Sequence, residues 1–95
     1  MPISAPKICT PLRPITTTEG NTVLLTTQVE GYPLPQFTWF LNNQPLMASN
    51  RVTSHYDMLT KRCFLQIFDS RPNDTGIYEL IAENPAGQDR TRTEL

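Results

Sequence analysis

Asp74-Thr75-Gly76 is the stretch of this chain with the clearest chemical potential. The same D-T-G tripeptide carries the reactive carboxylate of aspartic proteases, where two buried aspartates share one proton across a dimer. A chain of 95 residues with one such tripeptide is long enough to be half of a site of that kind. The chemistry needs an apolar strand running into the Asp. Here the approach is Ser70-Arg71-Pro72-Asn73, a polar turn. A motif carries its chemistry only in its setting, so these residues read as a structural corner. Gly76 supplies a backbone conformation that other residues avoid. Asn73-Asp74-Thr75 is also an acceptor sequence for N-linked glycan, which matters only in a secreted protein.

His55 is the one histidine. It falls at an outward position of an expected edge strand, with no second His and no Cys beside it to complete a metal site. A Ser-His-Asp set needs a buried carboxylate to orient the imidazole, and nothing in the sequence places one. The reading is therefore non-enzymatic, with no catalytic, cofactor-binding or metal-ligating constellation. No small-molecule substrate is expected.

The elements that hold the corner are strands. After Gly76, Tyr78, Leu80 and Ala82 share one face at period two. The same alternation runs through Val23, Leu25, Thr27 and Val29; through Phe37, Trp39 and Leu41; and through Cys63, Leu65 and Ile67. Expected strands are Lys7–Thr10, Arg13–Thr18, Thr22–Glu30, Gln36–Leu41, Gln44–Met47, Arg51–Tyr56, Lys61–Phe68, Gly76–Asn84 and Gln88–Leu95. Gly31 to Pro35 should break the third of them. Asn42-Asn43 suits a tight turn, because Asn tolerates the left-handed region. Short strands with turn signals at short intervals predict an all-β two-layer sandwich. Residues 1–6 read as a lead-in, and residues 7–95 as a single domain.

Eight basic residues against nine acidic ones argue against a polyanion such as nucleic acid as partner. No apolar run approaches the length of a membrane span.

Read in order, the landmarks resemble an intermediate-set immunoglobulin-like domain. They are Glu19-Gly20, Val23-x-Leu25-x-Thr27-x-Val29-x-Gly31-x-Pro33-x-Pro35, Trp39-Phe40, Asn42-Asn43-x-Pro45-Leu46, Arg51, Leu65-x-Ile67, Asp74-x-Gly76-x-Tyr78 and Ala82-x-Asn84-x-x-Gly87. The resemblance implies an immunoglobulin-like sandwich with Greek-key connections and a tyrosine corner at Tyr78. It also implies a core of Trp39, Thr27, Leu80, Tyr78, Leu65 and Ile67, and an Arg51–Asp74 ion pair closing one end. The family's two sheet-bridging cysteines map onto Thr27 and Leu80, so that bridge cannot form. In this respect the chain is similar to the intracellular muscle and cytoskeletal branch of titin, kettin, projectin and palladin-like proteins. Ser70, Thr91 and Thr93 depart from the branch, standing where apolar residues are usual.

Cys9 and Cys63 do not replace the missing bridge. In the sheet order the resemblance implies, the Thr22–Glu30 strand separates them. Two interstrand gaps of about 4.8 Å exceed the roughly 7 Å that a disulfide spans between Cα atoms.

The resemblance implies a load-bearing spacer in a large sarcomeric or cytoskeletal protein, placed in the cytoplasm at the sarcomere or actin cytoskeleton. Its implied partners are neighbouring immunoglobulin-like domains and other filament proteins, actin among them. Lys61, Arg62, Arg90 and Arg92 are the candidate interaction surface. The alternative is an extracellular adhesion or receptor domain that lacks its disulfide, for which the Asn73 acceptor sequence speaks.

Overall fold

In the computed structural model, residues 3–12 and 19–95 are described. They form β1 (Ser4–Ile8), β2 (Val23–Tyr32), β3 (Gln36–Leu41), β4 (Gln44–Pro45), β5 (Val52–Asp57), β6 (Arg62–Ile67), a 3-10 turn (Pro72–Asp74), β7 (Ile77–Asn84) and β8 (Gly87–Glu94). One sheet runs β1-β2-β6-β5 and the other β4-β3-β7-β8. Every pairing within them is antiparallel. The strand expected over Arg13–Thr18, with inward Ile15 and Thr17, lies outside the described residues.

Alternation builds the core because successive strand side chains point to opposite faces. From one sheet come Val23, Leu25, Val29, Cys63, Leu65 and Ile67; from the other come Trp39, Tyr78, Leu80 and Ala82, with Leu12 at the side. All are buried. This core closes within the chain, as an independently folding domain requires. Trp39 and Leu80 are direct register partners on adjacent strands. Thr27 is fully buried, and its hydroxyl donates to the Thr10 carbonyl. A buried hydroxyl left unpaired would cost about 1–3 kcal/mol. Thr91, another polar residue at an inward position, accepts a 3.0 Å bond from the Leu12 N–H.

Most strand limits differ from the expectation by one or two residues, β4 ending at Pro45 rather than Met47, and two differences change the packing. β1 opens at Ser4, inside the stretch read as a lead-in, with Ser4 opposite Tyr32 and Pro6 buried. Proline is tolerated there because an edge strand has one row of N–H groups with no ladder to serve. β2 also runs on through Gly31 to Tyr32 rather than ending at Glu30. Gly31 permits it: a side chain there would come within 3.1 Å of the Pro6 backbone.

Both cysteines are free, Cys9 exposed and Cys63 buried. Burial pushes the Cys63 thiol up to about 11, an effect the neighbouring Trp39 indole offsets only in part. The indole N–H lies near the sulfur, but among the described residues no acceptor meets it with full hydrogen-bond geometry.

Two outcomes follow from this packing. Leu80→Ala should cost about 2–5 kcal/mol through the cavity it leaves, read as a lower denaturation midpoint; a midpoint equal to the wild type's would remove Leu80 from the core. Alkylation at pH 8 should label Cys9 in the native protein and Cys63 only after unfolding, since thiolates are the reactive form. Equal labelling rates, followed by mass spectrometry, would contradict the burial of Cys63.

Candidate functional site

At the corner between β6 and β7 the chain passes from the first sheet to the second, as it also does between β2 and β3. The Tyr78 hydroxyl donates to the Asp74 carbonyl at 2.5 Å, and both residues are buried. Burial pushes the Tyr78 phenol up to about 12. Arg51, just before β5, meets the Asp74 carboxylate with two parallel bonds, Nη1 to Oδ2 at 3.0 Å and Nη2 to Oδ1 at 3.1 Å. Its Nη1 also donates to the carbonyls of Phe68 and Asp69, at 3.2 and 3.0 Å. Asp74 Oδ2 accepts a further bond from the Arg71 N–H at 2.8 Å. The Arg51 guanidinium holds the Asp74 carboxyl below its ordinary range. A carboxylate engaged on both oxygens by fixed donors is an anchor, and this geometry does not set it up to take a proton from a substrate.

Gly76 makes the corner possible. Its φ is +145°, and a Cβ there would lie 2.6 Å from the Asn42 side chain. Asn42 Oδ1 accepts from the Ile77 N–H at 2.9 Å, and the Asn42 N–H donates to the Ile77 carbonyl at 2.8 Å. Asn42 and Asn43 both take positive φ, 50° and 68°. The first of them therefore does more than turn the chain: it closes the corner from the other side.

The four basic residues expected to form an interaction surface do not lie together. Lys61 precedes β6 and Arg62 opens it, in the first sheet; Arg90 and Arg92 lie on β8, in the second. Lys61 stands 4.0 Å from Glu30, and Arg62 sits in register with Gln28 and Asp57. Arg90 and Arg92 converge on Glu79, at 3.9 and 3.3 Å. Glu79 is 8% exposed although its strand position faces outward. The signal for this site was the β7–β8 hairpin: once its turn is placed at Pro85-Ala86, counting back puts Glu79 opposite Arg92.

At the far end, Asn84 Nδ2 donates to the carbonyls of Ser4 and Pro33, at 2.7 and 3.1 Å. One side chain thus ties the start of β1, the β2–β3 loop and the β7–β8 turn.

This corner, two-sheet topology and spacing match the immunoglobulin I-set domain over residues 6–95. The chain belongs to the immunoglobulin I-set family. Among its relatives, this I-set domain is 34% identical over 90 residues to "Muscle M-line assembly protein unc-89" of Caenorhabditis elegans, covering 95% of this chain and 1% of that protein. It is 36% identical over 84 residues to "Myosin light chain kinase, smooth muscle" of Gallus gallus, covering 88% of this chain and 4% of that one. The chain thus spans only a small part of either relative. Among solved structures it overlays titin M4 with a TM-score of 0.95 at 21% identity, covering 100% of this chain and 97% of that one, a likeness of fold. It overlays the titin domains Z1Z2 in complex with telethonin with a TM-score of 0.93 at 29% identity, covering 100% of this chain and 48% of that one.

The anchored carboxylate makes the I-set corner sensitive to acid. Asp74 titrates lower in the folded than in the unfolded chain, where its ordinary value is 3.8. Its contribution is therefore present above about pH 4 and is lost as pH falls through the folded value. Thermal melts from pH 7 to pH 2 should show Asp74→Asn less stable than wild type at neutral pH, with the difference shrinking below pH 4. A difference that stays constant with pH would show that the Asp74 charge is not what holds the corner.

Proposed function

We propose that this domain is a non-enzymatic structural module of a long muscle or cytoskeletal protein, a spacer that transmits load and presents surface to filament proteins. The observation that carries this reading is the placement of the chain ends. Ser4 is bonded at the pole of Asn84, while the Leu95 N–H donates to Gly76 at the opposite pole, 3.0 Å away. The domain's long dimension is 45 Å. Ends at opposite poles suit joining in series. The similarity to an M-line assembly protein and to a smooth-muscle kinase supports a muscle setting, and with it a cytoplasmic place at the sarcomere or actin cytoskeleton.

Partners on this reading are neighbouring immunoglobulin-like domains in the same chain and other sarcomeric or cytoskeletal proteins, with actin as a candidate. The complex of titin Z1Z2 with telethonin illustrates that a related tandem engages another protein. The second reading, an extracellular module, draws on the exposure of Asn73 in its acceptor sequence; glycan found on Asn73 of the native protein would favour it.

A pull on the two ends loads the contacts between the N-terminal segment and β8. These are the bond from Ile8 N–H to Asp89 Oδ2, at 2.9 Å, and that from Leu12 N–H to Thr91 Oγ1. In single-molecule pulling of a tandem array, Asp89→Ala with Thr91→Val should lower the unfolding force more than Asn43→Gly does, since Asn43 lies in a turn off the load path. Equal losses would defeat the load-bearing role.

A further inference from the structure

The large exposed apolar side chains are unevenly spread. Tyr32 at the end of β2, Leu34 in the β2–β3 loop, and Met58 and Leu59 in the β5–β6 loop stand 45%, 54%, 71% and 95% exposed at the pole where β1 begins, and Ile3 adds 65%. Tyr32, Leu34 and Met58 line one open cavity of about 480 Å³ with Ser4, Gly31 and Tyr56, and Glu30 and Lys61 at its rim. The opposite pole is built mainly from Asn42, Asn43, Asp69, Arg71 and Asn73, all exposed, with Phe68 and Ile77 less exposed there at 38% and 36%. An exposed apolar cluster rimmed by polar groups marks a contact site.

The start of β1 names the occupant. Ser4 is itself part of the cavity wall, and it is held there: its Oγ accepts from the Tyr32 N–H at 3.1 Å and its carbonyl from Asn84. Whatever covalently precedes this domain must leave from the cavity's edge. Extended chain advances about 3.3 Å per residue, so a preceding module joined by a short linker stands within reach at an effective concentration on the order of millimolar. A free partner would have to exceed that concentration, or bind far more tightly, to take the site.

We propose that this pole is the seat for the module preceding this domain in the full protein, and that Tyr32, Leu34 and Met58 receive apolar side chains from its facing end or linker. This rests on the reading of the domain as one of a series. Filling the cavity removes apolar surface from water on both sides and makes the joint stiff rather than freely hinged. The paired rim charges, Glu30 and Lys61, favour neither sign of partner; the apolar floor carries the recognition.

Two exposed methionines provide the test. Met58 lies in the cavity wall, and Met47, 79% exposed, lies in the β4–β5 connection away from it. Peroxide oxidation, followed by peptide mass spectrometry, is compared in the isolated domain and in the natural fragment of this domain with its preceding module. The expected result is that oxidation of Met58 slows several-fold in the two-module fragment while that of Met47 is unchanged. A companion fragment with Leu34→Glu should restore fast oxidation of Met58, and its melting temperature as an isolated domain should match wild type, since Leu34 is exposed. Equal Met58 rates in both forms would overturn the proposal, as would protection that survives Leu34→Glu. A freely hinged pair would leave the spacer role standing, so this failure is distinct from failure of the proposed function, which the pulling experiment judges.

Discussion

The Arg51–Asp74–Tyr78 lock holds the β6–β7 connection, one of the places where the chain changes sheets, and ties the edge of one sheet to the centre of the other. Arg51 belongs to the edge of the first sheet, Tyr78 to the centre of the second, and Asp74 bonds both. Without it the β6–β7 connection would be a loop of polar residues running past buried Tyr78. The lock matters more because nothing covalent joins the sheets. Thr27 and Leu80, where the family resemblance would put a bridge, are both fully buried and neither is a cysteine. A disulfide contributes about 2–4 kcal/mol, chiefly by restricting the unfolded chain. Burying a leucine side chain contributes about 1.5–3 kcal/mol, so Leu80 offsets much of that loss by a route indifferent to redox conditions. Thr27 adds no apolar area, but its hydroxyl secures the Cys9–Leu12 segment against the sheet through Thr10.

The residues most easily read from sequence were those whose role is local. Asn42-Asn43 announces positive φ from residue type alone, and D-x-G-x-Y announces its corner within five residues. Period-two alternation assigns the inward faces of Val23–Val29 and Cys63–Ile67 because a strand's side-chain period tolerates no slip. What was misread depends on distant partners. Pro6 looks like a breaker until the edge position of β1 is known. Gly31 looks like a stop until Pro6 is seen packed against it. Arg90 and Arg92 look like part of an interaction surface with Lys61 and Arg62 until the register sets them on Glu79. Asn42 was legible as a turn residue and illegible as a clamp, since Ile77 lies far along the chain.

Charge on this surface is largely spent within the domain. Glu79 gathers Arg90 and Arg92, Glu30 faces Lys61, and Asp69 faces Arg71. Exposed pairs of this kind contribute little to stability, about 0–1 kcal/mol each, but they lower the net field available to steer a charged partner. On the proposed reading as one module in a series, the domain gains from this. A strong single-sign face would draw it to unrelated polyions or to its own copies, whereas balanced faces leave selectivity to shape.

The two poles then divide the labour that the faces decline. Among the described residues one pole is the more apolar and recessed, and the other is mostly polar and built on tight turns. Such a difference gives a series of domains a direction, because the larger apolar surface lies at one end. It also separates strength from jointing. On the proposed reading, resistance to pulling resides in the bonds between the N-terminal segment and β8, while the angle between domains is governed by side chains around Ser4. Substitution at Leu34 or Met58 can therefore alter the joint while leaving the core untouched. A core substitution such as Leu80 weakens the module without changing the surface it offers to its neighbours. The exposure of Leu34 and the complete burial of Leu80 place these two properties under independent control in one short chain.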